Sequence, residues 1–106
     1  MTKFLIKASY SPDGAKGVLS TGGTARKQAV EKSINSLGGK MDCFYFAFGD
    51  ADAYIIAQMP DAISAAALAM NVNGSGLASV STIMLLDPED IDNAIKISVD
   101  YRGPGK

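Results

Sequence analysis

The chain has 106 residues, enough for one core and not two, and with 47% apolar residues it is too hydrophobic for a disordered segment. Its net charge of −1 comes from interleaved acids and bases, so it has neither a basic block or basic-aromatic stripe for nucleic acid nor a basic amphipathic helix for a membrane surface. It contains no histidine, which excludes histidine general bases, triads and metal sites, and its single cysteine, Cys43, excludes an intramolecular disulfide.

The N-terminal stretch MTKFLIKASY is too short and too interrupted by Lys7 for a signal peptide, and no apolar run approaches the ~20 residues that span a bilayer. With one thiol and five methionines, a cytoplasmic protein is expected. Lys3 to Tyr10 alternates Phe4, Ile6, Ala8 and Tyr10 against Lys3, Leu5, Lys7 and Ser9, the period of a strand. Ser11-Pro12 then opens a helix that Gly14 and Gly17 should keep short and weak. Thr24 is placed to cap a second helix running to Leu37. Its buried stripe is Ala29, Val30, Ser33, Ile34 and Leu37, with Arg26, Lys27, Glu31 and Lys32 on the wet side. Gly38-Gly39 stops it.

Met41 to Phe48 reads as a strand, with Phe44, Phe46 and Phe48 opposed to Met41, Cys43, Tyr45 and Ala47. The turn Gly49-Asp50-Ala51-Asp52 leads into a return strand, Ala53 to Met59, with Tyr54 and Ile56 on one face. Asp61 caps an alanine-rich helix ending at Asn71 or Val72, and Leu77 to Leu86 is a fourth strand. Asp87-Pro88-Glu89-Asp90 starts a last helix to about Ser98, with Ile91, Ala94 and Ile95 turned inward, and a tail follows.

This order, read as one domain over residues 1–106, predicts an α+β fold. It is a ferredoxin-like βαββαβ unit with a four-stranded antiparallel sheet, helices on one face and an extra C-terminal helix. Every strand except part of the first is substantially apolar on both sides, so the second face needs a cover. A second subunit supplies it most simply, and the C-terminal helix with its tail is the intramolecular alternative.

The two carboxylates of the turn are the first candidates for chemistry. Asp52 could stand at a pocket mouth as an acid or base, or Asp50 and Asp52 could simply bond the turn backbone. Tyr10, Tyr45 and Tyr54 could line an apolar cleft, or serve as core and interface area. Gly22-Gly23-Thr24-Ala25-Arg26-Lys27 could hold an anion at a helix start, or be a loop and a solvated helix face. Cys43 has no cationic neighbour or histidine in sequence and reads as structural. No cofactor motif and no metal-ligand pattern is present.

The landmarks KFLIKASYSPDGAKG, GGTARKQAVEKSINSLGGKMDCFYFAFGDAD, MPDAISAAALAMNVNGSG and LLDPEDIDNAIKISVDYRGPG follow the order seen in the GYD-domain proteins, small bacterial proteins of the dimeric α/β-barrel group, which the chain resembles. The Gly-Tyr-Asp motif that names them maps onto Gly49, Ala51 and Asp52, with Asp50 inserted and Ala51 in place of the tyrosine. The resemblance implies the fold and an oligomer, and no particular reaction. The expected function is a homodimeric or larger non-enzymatic module that binds a small apolar or aromatic molecule or serves assembly. The alternative is a cofactor-free isomerase or monooxygenase-like enzyme with Asp52 as acid or base.

Overall fold

In the computed structural model, which describes every residue from Met1 to Lys106, the elements run β1 (Thr2–Tyr10), α1 (Pro12–Thr21), α2 (Gly23–Ser36), β2 (Lys40–Phe46), β3 (Ala53–Met59), α3 (Ala62–Gly74), β4 (Ala78–Leu85) and α4 (Pro88–Ile95). The strands form one antiparallel sheet in the order β2-β3-β1-β4. This is the ferredoxin-like arrangement expected from the element order, with the two central strands taken from different halves.

Alternation decides which side of each strand is buried. Phe4, Ile6 and Ala8 of β1 lie on the same side as Ala53, Ile55, Ala57 and Met59 of β3, and Met41 and Phe44 of β2 join them. Ile34 of α2 and Ala65 of α3 close this core from the helix layer. Each large side chain removed from water there contributes roughly 1.5–3 kcal/mol. The small side chains of α3 let it lie close to the sheet.

Four local features differ from the sequence expectation. First, α1 is a full ten-residue helix despite its glycines. The Ser11 hydroxyl oxygen accepts from the Gly14 amide at 3.2 Å, and the Ser11 amide donates to the Leu77 carbonyl at 3.0 Å. A Cβ on Gly14 would collide with that same Leu77 carbonyl, so the glycine marks the point where α1 docks on the connection into β4.

Second, α2 is capped by Gly22 rather than Thr24. The Gly22 amide donates to Val18 at 2.8 Å while its carbonyl accepts from Arg26, so one residue at φ +90° ends α1 and begins α2. Third, a bulge between Met41 and Cys43 breaks the alternation of β2 and puts Met41 on the side of Phe44. Fourth, α4 ends at Ile95 and buries no residue, so Ile91 and Ile95 do not face inward. Its start is set locally: Pro88 occupies the first turn, and the Asp90 carboxylate accepts from the Asp87 amide at 2.9 Å.

The C-terminal segment therefore leaves the second sheet face uncovered. That face carries a row running Cys43, Ile56, Leu5, Ile83 and a second running Tyr45, Tyr54, Lys7, Ser81. The Cα radius of gyration is 16.8 Å, against about 13 Å for a compact chain of this size. No helix is long and apolar enough to cross a membrane.

Candidate functional site

Between the helix layer and the sheet, α1, α2 and α3 stand apart and leave a cleft of about 690 Å³. It leads inward to a smaller apolar pocket of about 100 Å³ against Ile6, Ile55 and Val80. Tyr10, Arg26, Ser33, Leu68 and Val72 line both. The cleft's volume lies in the ordinary range for small-molecule sites; its walls mix apolar side chains with polar ones such as Asp13, Thr21, Ser36 and Asn71, and only the inner pocket is mainly apolar.

Arg26 is the central polar group. Its guanidinium lies 5.6 Å from the centre of the Tyr10 ring, within cation–π range. Its Nε is buried and has no hydrogen-bond partner. A buried donor without an acceptor costs about 1–3 kcal/mol, so an acceptor entering the cleft would gain from meeting it. The sequence reading put Arg26 on the wet side of α2, and the structure corrects this: the residue is half-buried. The signal was present in the spacing, because Arg26 is one and two turns ahead of Val30 and Ser33, both of which line the inner pocket.

The other candidate residues fall in three places. Tyr10 is in the cleft. Tyr45 and Tyr54 are cross-strand neighbours on the opposite, uncovered face, and Lys7 Nζ lies 5.8 Å from the Tyr54 ring centre. The sheet itself separates them from Tyr10. Asp50 is exposed in the connection between β2 and β3.

Asp52 lines neither cavity. Its Oδ2 accepts from the Tyr10 amide at 2.9 Å, its own amide donates to the Ala8 carbonyl at 2.8 Å, and its carbonyl accepts from Ala47 at 2.9 Å. The first two bonds fasten the turn to the end of β1, and the third closes the connection between β2 and β3. The neighbouring Ala51 is only 3% exposed.

Asp61 caps the N-terminus of α3, outside the stretch Ala67 to Ser75 that lines the cleft. Its carboxylate accepts from the Ser64 amide at 2.7 Å. That hydrogen bond, with one to the Ser64 hydroxyl, holds Asp61 below the usual carboxylate range. No group of three or more Asp, Glu or Cys side chains is placed to share a metal ion.

No curated protein and no solved structure matches the chain significantly. The GYD domain family model matches residues 4–95, from β1 to the end of α4. That span is most of the chain, and the protein belongs to the GYD domain family.

Proposed function

We propose that this GYD-domain protein is a non-enzymatic small-molecule-binding module that works as a homodimer or larger homo-oligomer. The observation that carries the binding reading is Arg26: a half-buried cation, stacked on Tyr10 within a cleft of ligand size, with a buried Nε that no protein group accepts from. The ligand is a small molecule with an apolar or aromatic body and an anionic or strongly accepting group. The body suits the inner pocket between Ile6, Ile55, Leu68 and Val80, and the anion suits the guanidinium. The position of Asp52, outside the cleft and bonded to backbone, supports binding over acid–base chemistry at that residue.

Self-association is supported by the uncovered sheet face, whose Cys43–Ile56–Leu5–Ile83 row is more apolar than a solvated face needs to be. The test of binding is an NMR titration with naphthoate, an aromatic carboxylate, together with native mass spectrometry for a retained molecule. Shifts confined to Tyr10, Arg26, Ser33, Leu68 and Val72, and lost in Arg26→Gln, support the reading. No shift in the cleft and no retained mass sink it.

A further inference from the structure

Beyond α4 the chain carries a strand pattern with no sheet to join. From Ile95 to Arg102 the residues alternate without a break: Ile95, Ile97, Val99 and Tyr101 against Lys96, Ser98, Asp100 and Arg102. Period two over such a run is the pattern of a half-buried strand. Yet these four apolar side chains are all at least 68% exposed, and residues 98–102 make no backbone hydrogen bond. All of the segment after Ile95 lies past the end of the match to the GYD domain.

One edge of the sheet has the matching deficit. The outer side of β4 has no neighbour. Its sequence, ASVSTIML, contains no charge and no proline, and its ladder with β1 runs from Ala78 to Leu85 without a bulge. Charge, proline and bulges are what ordinarily keep an edge strand from pairing with another chain, and β4 has none of them. The other edge, β2, carries Lys40, Asp42 and the bulge at Met41/Cys43. The alternating run from Ile95, the last residue of α4, to Arg102 matches the eight residues of β4 in length.

The arm is not delivered to its own β4. A return alongside that strand would be a β-α-β crossover, which requires the intervening helix to pack on the sheet. α4 buries nothing and leads the arm away, which accounts for a molecule measuring 56 × 33 × 22 Å. We infer that residues 95–102 add as a fifth strand to the β4 edge of a second copy, and that the second copy returns its own arm in the same way. Such a reciprocal exchange is two-fold and closes on itself, giving a dimer and not a filament. The apolar row of the arm then extends the open-face stripe through Ile83.

This inference rests on the self-association proposed above, and the experiment separates the two. Sedimentation of the full chain over a range of concentrations is combined with hydrogen exchange of the arm amides. The expected result is a dimer in which alternate amides between residues 96 and 102 are protected, with protection lost on dilution. Val99→Asp places a charge in the row that becomes desolvated, and raises the dimer dissociation constant about tenfold or more. Asp100→Asn, on the polar row, leaves it unchanged. Both positions are exposed and outside the core, so the fold survives either change. A dimer with unprotected arm amides and no response to Val99→Asp overturns the exchange and leaves self-association standing. A full chain that is monomeric at every concentration overturns both.

Discussion

The amide of Tyr10 donates to the carboxylate of Asp52, 42 residues away in sequence, at 2.9 Å. The bond extends the β1–β3 ladder one step past its last pair, Ala8 with Ala53, by using a side chain where the backbone has run out. It also fixes the strand end from which the Tyr10 ring meets Arg26. Asp52→Ala should therefore lower stability by about 1.5–3 kcal/mol, the range for a hydrogen bond to a charged group. Asp52→Asn keeps an acceptor oxygen and should recover most of that loss in urea unfolding. Equal losses in the two variants would show that the charge matters and the geometry does not.

Gly14 and Gly17, one turn apart on α1, should respond oppositely to alanine. At Gly14 the new methyl meets the Leu77 carbonyl and pushes α1 off the start of β4, a clash worth about 2 kcal/mol of destabilisation. At Gly17 no atom lies within 4 Å of the added carbon. There alanine should stabilise by about 0.5–1 kcal/mol, through helix propensity and a less flexible unfolded chain. Thermal melts of the two single variants decide it.

Cys43 is half-buried on the uncovered face, paired across β3 with Ile56. If a second chain covers that face, the thiol becomes shielded as protein concentration rises. The rate of maleimide labelling per molecule should then fall on concentrating the sample. A rate that stays constant while sedimentation reports a dimer would place the contact elsewhere.

Asp61 supplies the acid limb of the pH dependence. Its carboxyl is held below its ordinary value in the folded state by the Ser64 amide. The stabilisation is thus complete above the unfolded value and is lost as pH falls through the folded one. Unfolding midpoints measured from neutral pH down into the carboxylate range should fall more steeply for the wild type than for Asp61→Ala. The variant should also melt lower at neutral pH, where the cap is charged.

Much of the fold could be read from residue patterns because alternation and capping are local. β1, β3 and the starts of α1 and α3 follow from Phe4-Ile6-Ala8, Ile55-Ala57-Met59, Ser11 and Asp61, and the structure places them as expected. The GYD family was legible too, from the order of its landmarks. What escaped depends on contacts between distant segments. Arg26 reads as solvated until α2 is set against Tyr10 of β1, and the bulge at Met41 is visible only when β2 is laid on β3. Ile91 and Ile95 fit a helix period and a strand period alike, so the end of α4 at Ile95 is not marked in the sequence. The three tyrosines looked like one set, but β1 directs Tyr10 to the opposite side of the sheet from Tyr45 and Tyr54.

That division of β1 has a consequence for stoichiometry. Ile6, Ala8 and Tyr10 line the cavity walls, while Leu5 and Lys7 lie among the uncovered rows, so a small molecule in the cleft and a second chain on the far face would share a strand but no side chain. Neither occupant has to displace the other. A calorimetric titration would then return one molecule per chain whether the sample is dilute or concentrated, and any dependence of affinity on concentration would have to pass through the backbone of β1 itself.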